Sequence, residues 1–384
     1  MPDPRTAIIV GGGIAGLTTA IALRRLGMRV VVYERAPELR EVGAGLTLWG
    51  NAMQALQRLG LARAVQAAGM AGLGGSIRTW DGRPLATVRA TDLEAALGAA
   101  NVGIHRADLQ RVLVEAIGPD TLRLGAACVG CSQDERSVTV RFADGRLDRA
   151  DMLIAADGIH SVIRTQLFDK RKSRYAGYTA WRGIAAFDDP ALPADTAFES
   201  WGRGQRFGMV RIGGGRVYWF ATQNAPEGHA DAADGRQAEL LRLFDAWHAP
   251  IPALLRATDP AAILRNDIID REPLPRWSNE RVTLVGDAAH PMTPNMGQGA
   301  CQAIEDAVAL ADCLAQRDDT AAALLCYELH RSQRANLIVR QSWRIGRVAQ
   351  WQNPALCAVR NAAVRALGPG AQLRQLRFAL GVRG

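Results

Sequence analysis

Lysine is almost missing from this chain of 384 residues: it stands only at 170 and 172, so the net charge of +8 is carried by arginine. The densest basic cluster, KRKSR at 170–174, has no nucleic-acid motif beside it. It reads as a solvated loop between two domains, and no nucleic-acid partner is expected. Nor is there an apolar run of about eighteen residues, so no transmembrane helix is expected. The opening MPDPRTAIIV lacks both the basic start and the apolar core of a signal peptide, and the expected location is the cytoplasm. Cysteine is sparse, at 128, 131, 301, 313, 326 and 357, with a single CxxC at Cys128 and Cys131. A second CxxC is absent and no His pair has metal spacing, so no metal is expected. The CxxC segment reads as a strand, where positions three apart face opposite ways. The cysteines are therefore read as structural.

What remains is the composition of an ordinary globular enzyme, 48% apolar and 22% charged, long enough for two or three modules. The first informative stretch is AIIVGGGIAGLTTAIALRRLGMRVVVYER, 7–35. Ala7–Val10 is a fully apolar run, as expected of a buried parallel strand. Gly11, Gly13 and Gly16 form GxGxxG and open a helix. Val30–Tyr33 is a second strand, closed by Glu34. Gly11 permits the turn, Gly13 lets a pyrophosphate approach the backbone, and Gly16 lets helix and strand pack closely. The helix N-terminus offers free N–H groups to phosphates, and Glu34 is placed to accept from ribose hydroxyls. An acid at 34 favours FAD or NAD over NADP. The triple glycine at 213–215 precedes a strand, not a helix, and reads as a hairpin turn.

Two further apolar strands end in acids. DMLIAADGIHSVIR, 151–164, ends at Asp157-Gly158, and RVTLVGDAAH, 281–290, ends at Gly286-Asp287. Ligands of open α/β sheets bind beyond the carboxyl ends of strands, so one long ligand would reach all of these positions.

The GxGxxG, DG and GD stretches, in this order and spacing, make the chain resemble the single-component FAD-dependent aromatic hydroxylases, the p-hydroxybenzoate hydroxylase-like monooxygenases, over roughly residues 5–330. RYAGYTAWRGI (174–184) and HPMTPNMGQGACQAIEDA (290–307) resemble the branch that holds urate hydroxylase and zeaxanthin epoxidase. The resemblance implies an α/β fold: a Rossmann-like FAD-binding domain (1–79, 100–172 and 278–330), an inserted β-rich substrate domain (80–99 and 173–277) and C-terminal helices (331–384). It implies FAD, with NADH or NADPH as a transient co-substrate, O2, and hydroxylation or epoxidation of a small aromatic, heteroaromatic or polyene substrate through a flavin C4a-hydroperoxide. By the same resemblance Asp287 meets the ribitol chain, Pro294 stiffens the turn, and Gly297, Gln298 and Gly299 bring N–H groups to the isoalloxazine. Thr47, Arg106, Val129 (through its backbone) and Asp157 join them. Ala15, Arg35, Ala300 and Cys301 are counted with the same site.

Residues 174–223 read as strands. A hairpin turn at Gly213–Gly215 makes paired positions sum to 428, so Arg206, Gly208, Val210, Tyr218 and Phe220 share one face. Arg206 and Tyr218 are the expected catalytic pair, Arg206 holding an anionic or carbonyl group. Urate hydroxylase has an Asp where this chain has Asn295, a residue that is never charged, so urate is not implied. His290 reads as structural. The arginine-rich tail, 320–368, reads as a helix packed on the FAD domain rather than docked on a membrane. The expected assembly is a monomer or homodimer. An FAD oxidase or dehydrogenase without oxygen insertion, and a non-catalytic FAD-binding regulator, fit the same motifs.

Overall fold

A computed structural model describes residues 5–39, 44–118, 120–189, 192–193 and 195–368. Four apolar segments, Thr6–Val10, Arg29–Tyr33, Met152–Ala155 and Val282–Leu284, form the parallel heart of a six-stranded sheet. Ser278–Asn279 and Leu122–Arg123 are its edges. Ile9, Val32, Ile154 and Leu284 are fully buried, as strands covered on both faces should be. The register pairs Val10 with both Tyr33 and Ala155, and Ala155 with Leu284. The strands therefore end level, and the loops at Gly11, Glu34, Asp157 and Gly286 open on one edge of the sheet.

The second body is a seven-stranded sheet in the order Leu264–Asp270, Arg174–Ala186, Arg216–Asn224, Gln205–Arg211, Ala197–Trp201, Gly75–Thr79, Pro84–Val88. Its central hairpin pairs Arg206 with Thr222, Gly208 with Phe220 and Val210 with Tyr218, each pair summing to 428 as the sequence reading requires. Gly213, Gly214 and Gly215 all take positive φ in the turn, a conformation costly to any other residue. One face buries Phe207, Trp219 and Ala221 under the helices Arg236–Phe244 and Ile251–Ala257. The other face, with Arg206, Tyr218, Phe220 and Thr222, looks across at the glycine loops.

The helix Gly299–Gln316 packs against the first helix, Ile14–Arg25. The helix Thr320–Ala349 then runs along both bodies. Near its start the Tyr327 hydroxyl donates to Leu284 O at 3.1 Å, in the cofactor sheet. At its far end Gln350 accepts from Arg206 at 2.8 Å, in the other sheet.

Two expected boundaries move. The long helix crosses 330/331 without a break, so no module begins there. Gly75–Thr79 pairs in parallel with Ala197–Trp201, so the insert begins before 80.

Candidate active site

Between the level strand ends and the opposing sheet lies a cleft of about 1460 Å³. At one end stands the first glycine loop. Gly13 caps the helix Ile14–Arg25 with no side-chain hydrogen bond, and a Cβ there would meet nothing within 4 Å. The orphan N–H groups of the first turn therefore face open space. Gly11 has φ +108° and sits so close to the neighbouring strand that a Cβ would fall 2.2 Å from Ala156 O. Glu34 is tied down by its backbone neighbours. Its Oε2 accepts from Gly12 N at 2.7 Å and its Oε1 from Ala36 N at 2.9 Å, leaving further lone pairs toward the cleft.

Along the cleft come Ala15, Arg35, Thr47, Arg106 and Asp157, all in its lining. Asp157 caps the helix Val162–Leu167 through Oδ2, which accepts from Val162 N at 2.8 Å, while its Oδ1 is buried without a partner. Burial pushes its carboxyl up, against the pull of hydrogen bonds from Ser161 and the backbone.

The GD loop closes the far end. Gly286 takes φ +57°, and a Cβ there would lie 2.7 Å from Ala15 Cβ, so only glycine lets this loop cross the first helix. Asp287 opens into the cleft yet is walled by protein. That enclosure raises its carboxyl, with His290 and Arg106 pulling the other way. Gly297, at φ +60°, leads into a second uncapped helix start at Gln298-Gly299. Pro294, Gly297, Gln298, Gly299 and Ala300 line the cleft here. Gln298 Nε2 and Trp49 Nε1 are buried donors without partners. Two free helix N-termini, an acid at each end and unsatisfied buried polar atoms on the walls fit a long dinucleotide such as FAD.

Three expected contacts lie outside this lining. Gly16 acts at one remove: a Cβ there would fall 1.9 Å from Gly11 O. Cys301 is fully buried beneath the loop, where its thiol faces Trp49 N and Thr47 O. The side chain of Val129 is 53% exposed and outside the lining, which Ala126, Ala127 and Cys128 supply on this strand, and the expected contact of Val129 is one of backbone only. The cause is a bulge: Arg141 pairs with Gly130 and Phe142 with Cys128, so Val129 is the unpaired extra residue.

Beneath the GD loop sits a buried ionic network. His290 Nε2 meets Asp306 Oδ2 at 2.6 Å, Arg331 Nε donates to Asp306 Oδ1 at 2.8 Å, and Arg331 Nη1 donates to Glu305 at 2.6 Å. Gly286 N also donates to Asp306, at 2.9 Å, which fixes the loop that presents Asp287. His290 thus stands in a buried contact with Asp306 beneath the loop. Arg164 is likewise fully buried, donating to the carbonyls of Ala288 and Ala289 at 3.2 and 3.1 Å.

Across the cleft the structure brings Arg206 and Tyr218 to one wall, with a correction to the role of Arg206. It is 2% exposed, and all three of its nitrogens are in use. Nε donates to Gln350 at 2.8 Å, Nη1 to Glu199 at 3.0 Å and Nη2 to Asn295 at 2.8 Å. It is a paired cation rather than a free anion receptor. Asn295 is itself held by four hydrogen bonds, from Arg206 and Tyr178 and to Thr293 and Ser342. Tyr218 is partly buried and leans on the strand Gly45–Leu48, where a Cβ on Gly45 would fall 2.4 Å from its own. Burial raises its phenol, and Arg182 pulls it down. Glu199, Tyr178, Trp49 and Gln350 went unread in the sequence, because nothing in their local pattern separates them from ordinary strand and helix residues.

Cys313, Cys326 and His330 also converge, with ligand atoms within 4.8 Å of one another, and the two thiols are joined as a disulfide. Among the described residues no helix is long and apolar enough to cross a membrane.

A family described as an FAD binding domain matches residues 5–342. The chain is 48% identical to aurachin C monooxygenase/isomerase of Stigmatella aurantiaca, over 94% of each chain. It is 36% identical to the FAD-dependent urate hydroxylase of Klebsiella pneumoniae, over 87% of each. Its fold superposes on Klebsiella pneumoniae HpxO complexed with FAD and uric acid with a TM-score of 0.93, at 32% identity, covering 98% of this chain and 96% of that one. The chain therefore belongs to the FAD-binding-domain family of p-hydroxybenzoate hydroxylase-like flavin monooxygenases. It is an FAD-dependent monooxygenase.

Proposed function

We propose that the protein uses NAD(P)H and O2 to hydroxylate, or epoxidise, a small aromatic, heteroaromatic or polyene substrate. Bound FAD would supply the redox chemistry, taking hydride from NAD(P)H and passing one oxygen atom of O2 to the substrate. The chain's own residues hold and shield the two partners. The first helix start and Glu34 hold the dinucleotide end, with Arg35, Thr47, Arg106 and Asp157 along it. Asp287 and the Gly297–Gly299 turn hold the flavin end. Tyr218 faces the substrate, and Ile345, Val348 and Val359 of the C-terminal helices add an apolar wall that excludes water.

One observation carries this reading. The Arg206–Asn295 hydrogen bond, 2.8 Å long, ties the substrate wall directly to the loop that would carry the flavin. Purified protein should be yellow and release FAD on denaturation. It should oxidise NAD(P)H slowly alone and many-fold faster with a fitting ring compound, whose product gains one atom from 18O2. Fast oxidation that no ligand alters, with no label in product, would favour an oxidase instead.

Arg206→Ala tests the substrate wall. Glu199 and Asn295 both lose a charge-assisted partner, a loss of about 1.5–3 kcal/mol. The expected result is a fall in kcat/KM of roughly ten- to a hundred-fold. More H2O2 should be released per NAD(P)H, since a loosely held substrate misses the oxygen transfer. FAD content should be unchanged. Unaltered kcat, KM and coupling would remove Arg206 from the site.

A further inference from the structure

In the strand Ala197–Trp201, Phe198 and Ser200 point into the second body's core, and Glu199 points into the cleft. Its side chain is 26% exposed there. The carboxylate is used unevenly. Oε1 accepts twice, from Trp201 Nε1 at 2.8 Å and from Arg206 Nη1 at 3.0 Å. Oε2 accepts from none of the described residues and is open to the cleft.

The carboxylate is thus clamped from behind while its second oxygen is presented. Arg206, which does the clamping, spends its other two donors on Gln350 and Asn295 and cannot swing out to the ligand. Its guanidinium lies 5.3 Å from the centroid of the Tyr178 ring, which blocks that exit as well. Behind Trp201, Arg360 is likewise committed, donating to Ala349 O at 2.8 Å and Gly202 O at 3.0 Å. Neither of the two arginines beside the carboxylate, Arg206 and Arg360, therefore has a donor left for a ligand, and the wall here presents an acceptor. Because Arg206 also bonds Asn295, the acceptor stands one guanidinium away from the Pro294–Gly299 loop.

We propose that Glu199 is the specificity-determining group of the substrate pocket. Through Oε2 it accepts a hydrogen bond from a ring N–H or O–H of the substrate, and so selects donor-bearing rings. The inference rests on the reading of this cleft as the oxygenase's substrate site. A bond of this charge-assisted kind is worth roughly ten- to a hundred-fold in affinity, and a ring that lacks the donor leaves the carboxylate oxygen desolvated and unpaired.

The test uses FAD-loaded protein and two probes on one ring system, 2-naphthol and 2-methoxynaphthalene, whose methyl group replaces the donor hydrogen, titrated against the flavin absorbance band. Wild type should bind the naphthol at least about ten-fold more tightly. Glu199→Gln should bring the two within about three-fold, and Glu199→Asp, which keeps the charge, should restore most of the difference. FAD content, read in the same samples, reports that each variant is folded. Equal binding by wild type, binding of neither probe, or a preference that survives Glu199→Gln would overturn the inference. Failure of every ring compound to stimulate NAD(P)H oxidation would instead count against the monooxygenase reading and leave the binding result standing.

Discussion

Gly16→Ala protein should purify colourless, with less than about a tenth of the wild-type FAD, although residue 16 lines none of the cleft. The added Cβ would sit 1.9 Å from Gly11 O and 3.3 Å from Ala156 Cβ. Backbone on one side and a packed strand on the other leave no side chain that can step aside. The helix Ile14–Arg25 must back away from the sheet, and the N–H groups of its first turn leave the line on which a pyrophosphate would rest. The ratio of flavin to protein absorbance measures the loss. Circular dichroism should show the helices retained, because the helix Gly299–Gln316 still packs on the displaced one. Normal flavin occupancy in this variant would show that the glycine loop does not hold the cofactor.

Arg331→Met should cost about 3–5 kcal/mol of stability, read as a lowered urea midpoint at neutral pH. Arg331 is 5% exposed, and its removal takes from buried Asp306 its arginine partner, leaving it His290 and Gly286 N, and takes from Glu305 one of two arginines, Arg334 remaining. Burial alone would push the Asp306 carboxyl up. The charges of His290 and Arg331, with hydrogen bonds from His290 and Gly286, outweigh it and hold the group at about 2. A folded-state value below the ordinary carboxylate value of about 3.9 gives stability that is present above that value. That stability is lost as pH falls toward 2. Without Arg331 the folded-state value rises, so the variant's acid unfolding should begin at higher pH than wild type's. A variant with the wild-type midpoint and acid limb would show that the network contributes nothing. Because Gly286 hangs from Asp306, flavin release should also quicken.

Much of the cofactor side was legible because glycine geometry is local. The turn at Gly11, the two acid-ended strands, which stop at Ala155 and Leu284 just short of the expected Asp157 and Gly286, and the hairpin at Gly213–Gly215 are each written in a few consecutive residues. The register sum of 428 follows once the turn is known. That Val129 sits on a bulge is decided by pairing with Arg141 and Phe142, which its own neighbours do not announce. The division at 330/331 followed the extent of the family resemblance, whereas Arg331 is the buried centre of an ion network in the middle of a helix the sequence already runs through that point. Glu199 was invisible for a related reason. Its partners come from Trp201, Arg206 and, through Arg206, Gln350 and Asn295, and only the fold assembles that set. The pairing of Cys313 with Cys326 likewise joins two successive helices that the sequence shows only as separate segments.

The helix Thr320–Ala349 acts as a strut. It is fastened to the cofactor sheet through Tyr327, to the flavin loop through Ser342 and, just past its end, to the substrate wall through Gln350. A rigid member pinned at three points sets the gap between ring and oxidant as a fixed tolerance rather than a closing hinge. In such a frame a different substrate would be admitted by re-lining the wall, one side chain at a time, with the spacing between the two sheets kept.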